Sequence, residues 1–213
     1  NRDWPKASAV AIAMLLLLAH GAAAQGFPKR ELVIGSSGGP RHFTVEVATT
    51  QLAMTIWTFL AFALDAIAIA AQAIIGEYVG ARDVLARQQA TWMMVRWGLG
   101  FGVITGLGLA ALSPFLGIPF TPDPEVRSAL TGVLLVAAIG QPIAGVVFVL
   151  DGVLIGAGEG RYLAVAGLVV LLVFAPFVWL AVVGAQSLIW LWVAFVVAFM
   201  GSRSVVLLRR VWQ

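Results

Sequence analysis

No cysteine occurs in the 213 residues, which removes disulfides, thiol nucleophiles and thiolate metal sites together. Charge is scarce as well. Asp, Glu, Lys and Arg make up 11% of the chain, where a soluble domain carries about 25%. The two histidines, His20 and His42, are too few and too far apart to suggest a zinc site. No run of five or more basic residues is present, so nucleic acid is not an expected partner. Gly35-Ser36-Ser37-Gly38-Gly39 is followed by no Gly-Lys-Ser/Thr and cannot serve as a phosphate loop, which excludes ATP hydrolysis by this segment. No His/Asp/Glu constellation points to an intramembrane hydrolase. No arginine-rich helix suggests a voltage sensor, and no TVGYG-type filter marks a potassium channel. Neither enzymatic catalysis nor a bound cofactor or metal is expected.

What the chain has in abundance is apolar surface, at 61% of residues. A chain of this length has no core large enough to hide that surface, so the remainder requires lipid. A helix needs roughly 20 apolar residues to cross about 30 Å of hydrocarbon. Residues 97–122, 128–150 and 162–202 carry no charge, and 47–76 carry only Asp65. These runs predict five spans, at about 51–75, 97–117, 129–156, 162–183 and 187–207. A shorter run at 7–24 follows Arg2 and Lys6 and ends Ala22-Ala23-Ala24-Gln25. It reads either as a sixth transmembrane helix or as a signal-like or damaged segment. Residues 25–50 are rich in Gly, Ser and Pro and read as an irregular external loop. The predicted fold is an all-α polytopic bundle of five to six helices, with 1–50 as an atypical N-terminal segment and 51–213 as the bundle.

The basic residues give the orientation. With 7–24 counted as a span, Arg2, Lys6, Arg82, Arg87, Arg96, Arg161, Arg203, Arg209 and Arg210 share one side, and Lys29, Arg30, Arg41 and Arg127 the other. The excess places both termini in the cytoplasm. Trp92, Trp97 and Trp212 on one side, with Trp190 and Trp192 on the other, suit aromatic belts at the two interfaces.

Two carboxylates, Asp65 and Asp151, fall within these spans. An Asp near the bilayer centre costs about 2.5–3.5 kcal/mol on insertion scales, so it ordinarily faces a water-filled cavity, pairs with a partner, or binds a cation or proton. Gln51, Thr58, Asp65 and Gln72 recur every seven residues, and a step of seven drifts only about 20° around a helix. They form one polar stripe, readable as a cavity or ion path or as a helix–helix seam. Asp151 follows a Gln141-Pro142 step. The proline removes a backbone hydrogen bond and bends a helix, leaving a carbonyl and the Gln141 amide as polar groups for a cavity. The rival reading of Asp151 is an ordinary residue at the cytoplasmic headgroups. Residues 62–71, FALDAIAIAA, and 148–157, FVLDGVLIGA, share Phe, Leu, Asp, Ile and Ala at matching places. Such duplicated units are common in secondary transporters.

Several blocks carry a resemblance to a known family. The first is Leu64-Asp65-Ala66-Ile67-Ala68-Ile69-Ala70-Ala71-Gln72, with Gly76 and Gly80. Phe120-Thr121-Pro122-Asp123-Pro124 and Gln141-Pro142 follow. The last is Phe148-Val149-Leu150-Asp151-Gly152-Val153-Leu154-Ile155-Gly156-Ala157-Gly158 with Arg161-Tyr162-Leu163-Ala164. From Gln51 onward the chain resembles the C-terminal half of a multidrug and toxic compound extrusion (MATE) transporter, closest to the DinF-like branch. The resemblance implies two six-helix lobes around a central cavity, and efflux of organic cations and other amphiphiles driven by inward H+ or Na+. It implies cation or proton coupling at Asp151, which falls where some members carry a coupling Asp, and it puts Asp65 on the eighth helix; the stripe and proline readings add Asp65 as a second coupling carboxylate, a cavity lined by Gln51, Thr58, Gln72 and Gln141, and a kink at Pro142. Trp57, Phe59 and Phe148 would line the substrate cavity. Residues 1–50 match the family's seventh helix poorly: 7–24 holds no carboxylate, and Thr50-Gln51 stands where Ala-His-Gln is the family's step. The chain is therefore read as a fragment of a twelve-helix protein, with an altered reading frame before about residue 48 and an N-lobe half encoded upstream as a partner.

The expected function is a cation-coupled antiporter for small amphiphilic compounds, multi-pass in the cell's inner (plasma) membrane. Its partners would be membrane lipid, a small organic substrate and the other lobe. The alternatives are a non-transporting scaffold or assembly subunit, or a lipid-type flippase of the wider superfamily. The flippase reading expects basic residues in the cavity, and no Lys or Arg lies within the five spans away from their ends.

Overall fold

Between Arg41 and Ile75 the sequence holds neither Gly nor Pro, so nothing interrupts a helical ladder once it starts. In the computed structural model, which describes residues 41–185 and 187–212, that stretch forms one helix, α1, Arg41–Gly80. Residues 41–50 of the stretch read as a loop are therefore helical, residues 25–40 lie outside the described residues, and the boundary drawn at residue 50 falls inside α1. The breakers that suggested a loop cluster at Gly35–Pro40 and do not extend past it. The polar start of α1 is compatible with a helix because its hydroxyls bond back along it: Thr50 Oγ1 donates to the Glu46 carbonyl at 2.7 Å, and Thr55 Oγ1 to that of Gln51 at 2.8 Å. The run at 7–24 and its two readings lie outside the described residues.

The next helices are bounded by recognisable caps. Arg82 turns the chain with φ 58°, and Asp83 caps α2, Val84–Leu116, by accepting from the Ala86 N–H at 2.9 Å. Asp123 caps α3, Pro124–Gly156, accepting from Glu125 N–H at 2.9 Å, with Pro124 at the first helical position. Gly158 leaves α3 at φ +78°, a conformation that favours glycine. The fourth helix, α4, spans Gly160–Ala185, and the fifth, α5, spans Leu188–Val211. Both change to wider π turns, at Leu180–Ala185 and Phe195–Met200. All five are long and apolar enough to cross a membrane, and no strand occurs among the described residues. The predicted all-α bundle stands, with each helix longer than its apolar run. At about 1.5 Å per residue, a 40-residue α1 measures roughly 60 Å, twice the hydrocarbon thickness.

The centre of the bundle is α3, which α1 and α2 pack against along opposite stretches of glycine. On α2, Gly98, Gly102 and Gly106 recur every four residues and form one stripe, a small-xxx-small face. A Cβ on Gly98 would meet the Gly145 carbonyl oxygen at 2.6 Å, and one on Gly106 that of Ala138 at 2.6 Å. On α3 itself, Gly152 and Gly156 lie against the backbone of Ala68 and Gln72 in α1. Pro142 sits inside α3, which continues through it as α-helix. The carbonyl that Pro142 deprives of a donor is that of Ala138, four residues earlier. It faces Gly106 at the α2–α3 contact rather than a cavity.

An aromatic cluster ties α1, α4 and α5 together. Trp57 of α1 meets Trp192 and Phe195 of α5 edge-on at centroid separations of 6.2 and 5.1 Å. Phe174 of α4 meets Phe195 and Phe199 at 6.4 and 5.4 Å. Trp192 is fully buried.

Replacing Gly102 with Leu should drive a side chain into the Gln141–Pro142 backbone and lower stability by about 1–3 kcal/mol or more. Gly108→Ala, whose Cβ meets nothing within 4 Å, should leave stability unchanged or slightly raised. Thermal unfolding of the purified variants in detergent checks both.

Candidate functional site

The end of the bundle that carries Glu159 and Arg210 is polar. There α1 and α3 approach closely through Gly152 and Gly156, α4 begins, and α5 ends. Between them lies an open pocket of about 510 Å³ whose lining includes Asp65, Gln72, Phe148, Asp151 and Arg203. Both aspartates of the repeated motif thus reach one cavity. Leu163 and Ala164, from the last motif block, contribute to its wall from α4.

Asp151 is held by Arg203 in a two-point ion pair. Nε donates to Oδ2 at 3.1 Å and Nη2 to Oδ1 at 2.9 Å. Planar fork-to-carboxylate geometry of this kind is among the stronger ion-pair arrangements. The side chains are 22% and 23% exposed, so the pair is shielded on most sides yet open to the pocket. Asp65 differs. It is exposed at the pocket wall, and no hydrogen bond or ion pair reaches its carboxylate among the described residues. The cavity therefore holds two carboxylates and one guanidinium, a net negative charge if all three are ionised.

Three further contacts fix the end of α5 that carries Arg203. Arg210 Nη2 bonds Glu159 Oε1 at 2.7 Å, and its guanidinium carbon lies 5.4 Å from the centre of the Tyr162 ring. The Tyr162 hydroxyl donates to the Val206 carbonyl at 2.6 Å. Side chains from the start of α4 and the α3–α4 turn thereby anchor α5 below the pocket.

The sequence-predicted residues divide. Asp65, Gln72, Asp151 and Phe148 line the pocket. Gln51 and Thr58 share the exposed face of α1 with Asp65, as the seven-residue spacing predicts, but lie outside the pocket. Gln141 is not a cavity residue. It is 1% exposed, directed at α2, where Thr105 Oγ1 donates to its Oε1 at 3.5 Å. The bend assigned to Pro142 does not interrupt α3. Trp57 belongs to the aromatic cluster and Phe59 is 73% exposed on the outside of α1, so of the three aromatics only Phe148 faces the cavity. The largest omission was Arg203. It fell within the predicted span 187–207 but counted as an end residue, and 52 positions of chain separate it from Asp151. The available signal was its place inside a span, where a lone cation calls for a lone anion.

Residues 41–180 match the MatE family. Three proteins of Arabidopsis thaliana are similar to this chain. Protein DETOXIFICATION 45, chloroplastic, is 32% identical over 180 residues, covering 82% of this chain and 31% of the relative. Protein DETOXIFICATION 44, chloroplastic, is 35% identical over 150 residues, covering 64% and 26%. Protein DETOXIFICATION 42 is 26% identical over 175 residues, covering 82% and 34%. The chain thus spans about a third or less of the length of these relatives, and no solved structure matches it. A family match over most of the chain, together with five helices able to cross a membrane, means that this multi-pass membrane protein belongs to the MatE family.

Proposed function

We propose that the chain forms the C-terminal lobe of a cation-coupled antiporter, of the DinF-like branch, that exports drugs or other small amphiphilic compounds in exchange for H+ or Na+. The observation that carries this reading is the pocket in which Asp65 and the Asp151–Arg203 pair face one another. With one unmatched negative charge, it attracts a single proton or monovalent cation, and one such ion neutralises it. A neutral pocket packs against apolar surroundings at lower cost than a charged one, so ion binding biases the bundle toward a second packing, as alternating access requires. In this mechanism Asp65 receives the ion and Asp151 holds α5 through Arg203. The exposed stripe of Gln51 and Thr58 continues the polar face of α1 toward the other lobe. The name DETOXIFICATION borne by the relatives supports extrusion as the activity.

Arg203 is also the observation that favours a lipid-type flippase, in which cavity cations hold headgroups. Its guanidinium is already matched by Asp151, and this balance favours cationic cargo. For location, we infer the cell's inner (plasma) membrane with both termini cytoplasmic, since Arg82, Arg87, Arg161, Arg209 and Arg210 share one end of the bundle. The names of two relatives place those proteins in chloroplasts, and imaging of a tagged chain in its native cell separates the two membranes.

Asp65→Asn in the full-length transporter should reduce drug resistance toward that of cells lacking the protein, while insertion is unchanged. Resistance equal to the parent removes Asp65 from the mechanism. Asp151→Asn and Arg203→Gln should each destabilise the lobe by about 1–3 kcal/mol, and a double-mutant cycle should return a coupling of about 0.5–3 kcal/mol. Additive losses would mean that the pair contributes no specific interaction. The chain's lack of cysteine makes topology directly measurable. A thiol introduced by Arg161→Cys should react with a membrane-impermeant maleimide only after the cytoplasmic side is opened, whereas one from Pro122→Cys should react from outside.

A further inference from the structure

The outer face of α2 carries a second concave surface, remote from the ion-pair pocket. It is an open groove of about 990 Å³ lined by Gln89, Trp92, Met93, Arg96, Trp97, Gly100, Phe101 and Ile104. Three observations define its chemistry. The first is depth. The charge-free stretch that follows Arg96 within α2 runs from Trp97 to Leu116, and at about 1.5 Å per residue its 20 residues span roughly 30 Å, the full hydrocarbon thickness. Arg96 therefore sits at the headgroup boundary on the arginine-rich side, with Trp92 and Trp97 beside it at the level of an interfacial aromatic belt.

The second observation is charge. Arg96 is exposed, and among the described residues no carboxylate pairs with it. Exposed Arg209 of α5 lies one turn before Trp212, whose ring packs on Trp92 with centroids 5.1 Å apart. The groove itself contains no acidic residue. The third is shape. Gly100 lies one turn beyond Arg96 toward the bilayer centre, and a Cβ there would meet nothing within 4 Å. The missing side chain leaves a slot between Trp97 and Ile104 that begins beneath the cation and runs into the apolar zone.

A cation at headgroup depth above an empty apolar slot complements one kind of molecule, a phosphate diester with an acyl chain beneath it. We propose that the Arg96 groove is a binding site for an anionic phospholipid, with the headgroup phosphate on Arg96 and Gln89 and one acyl chain lying over Gly100 between Trp97 and Ile104. Basic pockets at this level of a membrane protein recognise anionic lipid by the same combination of charge and apolar contact.

Native mass spectrometry of the purified full chain, titrated with phosphatidylglycerol or phosphatidylcholine of equal chain length, tests this. Phosphatidylglycerol should bind at least about tenfold more tightly, a difference of about 1.4 kcal/mol. Arg96→Gln should reduce its binding to the phosphatidylcholine level. Gly100→Leu should fill the slot and weaken both lipids, with an unfolding temperature like the parent's because no neighbour is displaced. Inorganic phosphate at matched concentration should not compete. Equal binding of the two lipids, an Arg96→Gln variant that retains the preference, or full competition by inorganic phosphate would each overturn the assignment. So would a photo-crosslinker at position 93 that captures a second protein chain in membranes in place of lipid.

Discussion

The close approach of α1 and α2 to α3 governs everything else in this bundle. Helices in lipid gain nothing from hiding apolar surface from one another, so they associate through dispersion contacts and short backbone distances. Here Gly98, Gly102 and Gly106 bring α2 against the carbonyls of α3, and Gly152 and Gly156 bring α3 against those of α1. The second contact has a chemical consequence. Gly152 follows Asp151 directly, and the Ala68 backbone it touches lies one turn after Asp65. The two aspartates share a cavity because glycine lets their helices touch beside them.

Once that contact is made, two regions of the bundle take different characters. Trp57, Phe174 and Trp192 meet Phe195 edge to face, and Phe195 stacks on Phe199. Beyond these rings α5 is anchored through Arg203 on Asp151, Arg210 on Glu159 and the Val206 carbonyl on Tyr162. The cavity opens between these anchors. A π segment, Phe195–Met200, carries Phe195 and Phe199 of the aromatic cluster and ends three residues before Arg203. Wider turns of this sort accumulate at functional positions in helices, and beyond this one α5 is held by its ion pairs together with the buried Leu207.

Some of the site could be read directly and some could not. The heptad spacing of Gln51, Thr58, Asp65 and Gln72 placed them on one face of α1, and they are all exposed there. The repeated Phe-x-Leu-Asp motif paired Asp65 with Asp151, and they line one pocket. Gln141 and Trp57 misled because polarity and aromaticity say nothing about direction. Gln141 lies on a face of α3 that meets Thr105 of α2. The loop predicted over 25–50 overruns the start of α1 because the Gly and Pro that argue for it lie before Arg41, whereas Thr50 satisfies its hydroxyl on the helix itself.

By itself the sequence determined that the chain lies in a membrane and crosses it with at least five helices. It also determined which residues of α1 share a helix face. Those properties depend on hydropathy and helical periodicity, both of which act within a few turns of chain. Only the tertiary structure decided that Asp151 is an ion-paired carboxylate while Asp65 is not, because the pairing depends on where α5 docks. Arg203 is 52 residues from its partner, and no local pattern encodes a contact made by the packing of two helices.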